Sequence, residues 1–345
     1  MAVFDDILRR HRRRIIQRET AAFAELLAEY EELQRELALL IKDLEAEMIK
    51  AQAAGNLSDS WARRGARLQA LLDQVEEQIA RFGGKAAAVV TREQREAIKI
   101  AIDQAGDVYN LVTSTAPGQF PALGTQLPTR AIENAVGALG DGTALIGYFK
   151  EHIPTRVTRE IRREIIKAIA LGTDFRTLAR RLRQVSDIPR YRALATARTE
   201  VNRIRRETTR QIFEENEEIV TGWEWVAAKS TRTCPVCLAL DGRVFKVSDP
   251  FPQHVNCRCT MIAVIDGMER PPRLLGKDYF DSLPDEDKEK ILGDAEFEAY
   301  SSGQITLADL VGWKTSKLWG KSVYKKKLGI KNVPEKETKT TKKGK

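Results

Sequence analysis

The stretch Ile219-Val220-Thr221-Gly222-Trp223-Glu224-Trp225-Val226, with Cys234-Pro235-Val236-Cys237 and His254-Val255-Asn256-Cys257-Arg258-Cys259 downstream, decides the fold. Its first eight residues alternate apolar and other residues at period two, the pattern of a half-buried strand. Val244–Val247 and Cys259–Ile265 are two further strand candidates. In an extended Gly222–Val226, Trp223 and Trp225 share a face and anchor the sheet against a helix. Asp241-Gly242, between short apolar runs, predicts a hairpin turn, because glycine accepts positive φ.

All four cysteines fall between residues 234 and 259, together with one of the chain's three histidines. A C-x-x-C turn points both sulfurs at one centre, and H-x-x-C does the same from a second turn. The spacing therefore nominates Cys234, Cys237, His254 and Cys257 as ligands of a structural zinc, with Cys259 as the alternative. If residues 257–259 are extended, Cys257 and Cys259 face opposite sides of the strand. Three other readings remain open: plain apolar burial of the thiols, a Cys234–Cys237 disulfide, and a treble-clef nuclease. The last needs a second catalytic histidine or an Asp-His pair, and His254 stands alone in the module, with His152 and His11 far upstream.

Upstream the texture is helical. Phe23, Tyr30, Leu37 and Leu44 recur every seven residues, with Leu26, Leu33 and Leu40 between them, an a/d seam. Gly55–Asp59 breaks it, and Trp61, Leu68, Val75 and Phe82 restart it until Gly83-Gly84, which reads as a helix stop. Two such helices pair antiparallel or with another chain. A third helix is expected over Arg92–Val112, and the Pro- and Gly-bearing stretch Ser114–Pro128 reads as a linker. Helices follow over Thr129–Leu139 and Gly142–His152. Pro154 opens a basic helix to Leu171, another ends near Gln184, and a long one spans Pro189–Glu218. Beyond Gly267, helices are expected at Glu286–Ser301 and Thr306–Leu310. The fold class is thus α+β and predominantly helical: a long N-terminal helical hairpin, a helical scaffold, a small β-rich Cys/His module and a short helical C-terminal extension. The boundaries are 1–113, 129–265, an acidic 266–320 and a basic disordered tail 321–345.

Hydrophobic residues are 42% and charged residues 31% of 345, which fits a chain with a buried core and a charged surface. No run nears 18 apolar residues, so no membrane partner is expected, and the opening MAVFDDILRRHRRR lacks the apolar core of a secretory signal. The net charge of +8 is uneven. Arg156–Arg210 holds 15 Arg and 1 Lys against 6 acids, and Lys321–Lys345 holds 10 Lys against 2 Glu. Such asymmetry points to a polyanion, bound without sequence preference and sensitive to salt. Arg159, Arg162, Arg163, Arg203, Arg206 and Arg258 are the candidate nucleic-acid or partner contacts, Arg258 being expected to point outward between two buried cysteines. A solvated helix face is the plainer alternative.

The residues flanking the cysteines complete a pattern. Ala197-Arg198-Thr199-Glu200-Val201-Asn202 sits on the long basic helix, followed by Trp223-Glu224-Trp225, Cys234–Cys237, Leu240–Phe245 around Asp241-Gly242, and His254–Cys259. In this order, over roughly residues 154–265, the chain closely resembles the phage Mu F-like family of minor head, or head-morphogenesis, proteins. Val255 stands where the family often has proline. The resemblance gives Arg198, Glu200, Asn202, Trp225, Asp241 and Gly242 structural roles, with Arg198 and Glu200 tying the basic helix to the module. It implies a portal-associated virion protein that acts in procapsid assembly and in DNA packaging or ejection. The partners so implied are the portal protein, scaffold or major capsid protein, and genome DNA. The expectation is a non-enzymatic protein; the alternative is a nuclease or toxin-like enzyme built on the Cys/His module.

Overall fold

The computed structural model describes residues 2–53, 61–114, 121–124, 135–170, 177, 180–181, 184–185, 188–316 and 319–329. Among them no helix is long and apolar enough to cross a membrane. The fold is α+β and predominantly helical, as the periodicities indicate.

Helices α1 (Ala2–Ala53) and α2 (Trp61–Thr113) form an antiparallel hairpin within the chain. Leu26, Tyr30, Leu33 and Leu37 are buried with Leu72, Val75, Ile79 and Phe82 in one cluster. Ion pairs fix the register along the flanks: Arg10–Asp107 and Arg14–Asp103 at 2.7 Å, Arg18–Glu93 at 2.8 Å, and Arg92–Glu25 at 2.6 Å. The expected turn at Gly55–Asp59 lies outside the described residues.

The helix does not stop at Gly83-Gly84, and the separate helix expected at Arg92–Val112 is its continuation. The glycines answer a packing demand instead. A Cβ on Gly83 would lie 2.3 Å from the Phe149 carbonyl oxygen, so only glycine admits that backbone. Phe149 belongs to a π-helical turn (Tyr148–His152) between α3 (Leu145–Gly147) and α4 (Ile153–Ala170). In a π turn the Phe149 carbonyl would look to the N–H of residue 154, which proline lacks. Pro154 therefore sits inside a helical run rather than opening one. Ahead of that run, Gly137 (φ +78°) and an Ala138–Ala144 bridge form a tight turn where helix was expected, and residues 125–134 lie outside the described set. The helix expected to end near Gln184 falls largely outside it too.

Helix α5 (Ile188–Glu214) packs on α2 and leads into a three-stranded antiparallel sheet, ordered β2-β1-β3. Strands β1 (Val220–Val226), β2 (Val244–Lys246) and β3 (Thr260–Ile265) lie where period-two patterning puts them. Trp223 faces Phe245 on one side and Ala263 on the other. A short helix α6 (Pro235–Leu240) carries Cys237 at the sheet's edge.

The C-terminal segment contains α7 (Gly276–Asp281), α8 (Asp285–Leu292) and α9 (Asp294–Ser301). Gly293, at φ +89°, splits the single helix expected over Glu286–Ser301. A 3₁₀ turn at Leu307–Leu310 leads to a hairpin of β4 (Val311–Ser316) and β5 (Gly320–Lys325). The hairpin adds a β element to the helical extension and replaces the disorder expected from residue 321 as far as Lys325; residues 330–345 lie outside the described residues. Val323 is 1% exposed, and its N–H donates to the Gln253 carbonyl at 3.1 Å. Val323 and Tyr324 are strand-favouring residues, but the lysine-rich average masks them.

Candidate metal centre

Four thiols and one imidazole converge beside the sheet. Cys234, Cys237 and His254 have their ligand atoms within 4.8 Å of one another, and so do Cys237, Cys257 and Cys259. The cysteines are free thiols, so the Cys234–Cys237 disulfide is not formed. His254 Nε2 lies 2.9 Å from Cys237 Sγ and 3.6 Å from Cys234 Sγ, and the Cys237 and Cys257 sulfurs are 3.9 Å apart. Sulfurs bound at about 2.3 Å to one tetrahedral ion stand about 3.8 Å apart. The imidazole is suitably oriented: Nδ1–H donates to the Val255 carbonyl at 3.0 Å, which aims Nε2 at the sulfurs.

Cys259 departs from the expectation that it faces away from Cys257. Residues 257–259 are not a strand, because Asn256 adopts φ +63° and turns the chain just before them. Both sulfurs consequently reach Cys237, so the five candidate ligands form two groups of three that share that thiol.

The electrostatics favour thiolates around that volume. Hydrogen bonding to Cys237 lowers Cys234 to about 5 against the opposing effect of burial. Burial acts to lower His254, but the Cys257 charge and hydrogen bonds to Cys234 and Cys257 outweigh it and raise the group to about 11. Burial raises both Cys237 and Cys259. Two buried arginines stand behind the thiols. Arg205 donates to the Cys259 carbonyl at 3.1 Å, and burial, reinforced by Arg206, lowers it to about 10. Arg206 donates to the Cys259 carbonyl at 3.2 Å and to Gln253 Oε1, with its guanidinium over the Phe251 ring. Among the described residues neither arginine has a carboxylate within ion-pair distance. Thiolates around a divalent ion would supply the missing negative charge. The residues present thus fit a metal.

Helix α5 ties this knuckle to the rest of the chain. Arg198 Nη1 donates to Asn256 Oδ1 at 2.8 Å, and the Asn256 N–H donates to Thr199 Oγ1 at 3.1 Å. Glu200 accepts from Arg203 at 2.6 Å and from Trp319 Nε1 at 2.7 Å, so it reaches the C-terminal hairpin rather than the Cys/His module. Asn202 donates to Glu19 Oε1 at 3.0 Å, and Arg198 and Arg258 donate to Glu19 Oε2 at 3.3 and 3.0 Å. One carboxylate on α1 therefore holds both α5 and the knuckle.

Several arginines assigned to an outside partner are spent internally. Arg206 is fully buried, Arg203 caps the Ala138 carbonyl at 3.0 Å as well as meeting Glu200, and Arg258 turns inward to Glu19. Arg159 and Arg163 are exposed, Arg163 pairing with Glu160, while the Arg162 side chain lies outside the described set. Trp223 and Trp225 are buried, as their shared face requires, and Trp225 stacks on Phe251 with centroids 4.0 Å apart. Asp241-Gly242 makes no hairpin: it joins α6 to β2, with Gly242 at φ +88°. Asp241 is instead the centre of a buried network. It accepts from the Ala227 N–H and from Arg273 at 2.8 Å, and Arg273 also binds Glu224.

Sequence reasoning missed Glu19, Thr199, Gln253 and Arg273. No local motif marks Glu19 or Arg273. The i, i+3 relation of Thr199 to Asn202, continued at Arg206, could have shown that one α5 face serves the knuckle.

Residues 159–262 match the family model described as Phage Mu protein F like protein. A curated protein of Enterococcus faecalis (strain ATCC 700802 / V583), described as NAD(+)--arginine ADP-ribosyltransferase EFV, is 27% identical over 130 residues. The match covers 32% of this chain and 27% of that protein, so the chain spans about a quarter of its length. No solved structure matches.

Proposed function

We propose, from the similarity of residues 159–262 to the Phage Mu protein F like family, that the protein is a minor head component of a tailed bacteriophage, binding its neighbours in head morphogenesis rather than catalysing a reaction. The observation that supports this most is the Glu19 junction, where a helical arm is bolted to the Cys/His knuckle. At 1.5 Å per residue the 52-residue α1 is about 78 Å long, a reach suited to bridging components of a shell. The portal protein is the proposed partner, with scaffold or major capsid protein beside it and genome DNA as a non-specific one. The place of action is the head interior or portal region.

The knuckle would hold one zinc ion through Cys237, His254 and Cys257, with Cys234 as the fourth ligand and Cys259 as its alternative. Four protein ligands close such a site, and a closed site holds a fold. Zinc would supply cross-linking there; the residues supply orientation, His254 through Val255 and the thiol-bearing loop through Arg206.

The test is composition of the particle. Assembled heads should contain the chain in low copy, and a deletion should leave defective or empty heads. Full-titre phage lacking the chain would refute the proposal.

The E. faecalis relative favours a second reading, an enzyme built on the same module. Purified protein incubated with NAD⁺ and an arginine-containing acceptor, and separately with plasmid and a divalent metal, distinguishes the two. Turnover lost in His254→Ala without unfolding would establish the enzymatic reading.

A further inference from the structure

We propose that the concave surface between β2 and the β4–β5 hairpin binds a single strand of nucleic acid. Arg243, Lys246, Trp313 and Lys321 line a hollow of about 370 Å³ there. Trp313 is 38% exposed, an unusual state for so large an apolar side chain. The Arg243 guanidinium carbon and the Lys321 ammonium nitrogen lie 5.3 and 5.7 Å from its ring centroid.

Among the described residues, no carboxylate lies within ion-pair distance of Arg243 or Lys246. The hollow's one acid, Asp249, is engaged by Lys321 at 3.8 Å and by the Lys246 N–H at 3.3 Å. The surplus continues along the chain: from Val311 to Lys345 there are 12 Lys and 2 Glu, a net +10. This contrasts with α5, whose Arg203 and Arg206 are committed to carbonyls and carboxylates of their own fold.

Cations interleaved with exposed aromatic rings are the recognition chemistry of single strands: phosphates meet the cations and an unpaired base stacks on the ring. A duplex keeps its bases stacked on each other and would use the charge alone. An acidic peptide would likewise leave the Trp313 face unused. The inference does not depend on the head-assembly reading, since the surface would bind a strand in any setting.

The experiment is anisotropy of a labelled oligothymidylate with the full-length protein across a salt series, with competition by a duplex of equal length and by polyglutamate. The single strand should bind more tightly than either competitor. Trp313→Ala should weaken it by at least about fivefold, and Trp313→Phe should restore most of the affinity. Arg243→Gln with Lys321→Gln should lower the salt slope by about 1.4, at about 0.7 per phosphate contact. Far-UV dichroism establishes that each variant is folded. Wild-type affinity in a folded Trp313→Ala, or equal binding of duplex or polyglutamate, would overturn the proposal.

Discussion

Arg258 Nε donates to Glu19 Oε2 at 3.0 Å, joining residues 239 positions apart in the chain. The same carboxylate takes Arg198 and Asn202, so the first helix, the long basic helix and the Cys/His loop meet at one buried acid.

Glu19→Ala should therefore cost about 3 kcal/mol, the effect of removing one partner from a buried charged network. Because Arg258 acts through Glu19, the Glu19→Ala, Arg258→Ala double variant should fall well short of the sum of the singles. Denaturant unfolding of the four proteins measures this, and additive effects would show the junction to be inert.

Glycines on α2 should respond with opposite signs. Gly83→Ala places a methyl group against the Phe149 backbone and should destabilise by about 1–3 kcal/mol. Gly106→Ala meets nothing within 4 Å in the same helix and should stabilise by about 0.5–1 kcal/mol. Thermal melts of the two variants would expose an error in the packing of α2 if both moved the same way.

His11 gives the helical hairpin a pH dependence. Its ring is buried and meets Asp107 Oδ2 at 2.6 Å through Nε2, while Nδ1 has no partner. Burial lowers its pKa below 6.5, with Asp107 only partly opposing. As pH falls, the unfolded chain takes up the proton first, so this stability is present above about pH 6.5 and lost below it. The difference in melting temperature between wild type and His11→Gln should shrink as pH is lowered from 7 toward 5. A pH-independent difference would contradict the assignment.

Arg206→Met should loosen the metal without touching a ligand. The Cys257 carbonyl loses its donor and the Cys259 carbonyl one of its two, and outer-shell losses of this type weaken metal binding by about 10- to 100-fold. Competition with a chromogenic chelator reads the change; unaltered affinity would reduce Arg206 to a packing role.

Local patterns were legible in the sequence because they are set by nearest neighbours. The three strands, the paired tryptophans and the heptads of α1 follow from periods of two and seven. The Cys/His cluster could be located from spacing, but not which sulfurs converge, since that depends on the left-handed turn at Asn256. Charge was misread for the same reason. Arg206 and Arg258 look like solvated cations in one dimension, and only the packing of α1 and α5 against the knuckle supplies their partners. Gly83 resembles a helix stop because the carbonyl that requires it comes from a helix 66 positions later. The β4–β5 hairpin was hidden by lysines that occupy its outer positions.

Elemental analysis of the purified protein, paired with melting before and after chelation, tests the knuckle most directly. One zinc per chain is expected, lost together with much of the stability in Cys237→Ser and Cys257→Ser. A metal-free protein that melts at the same temperature with and without chelator would mean that the thiols hold nothing, and that burial alone accounts for them.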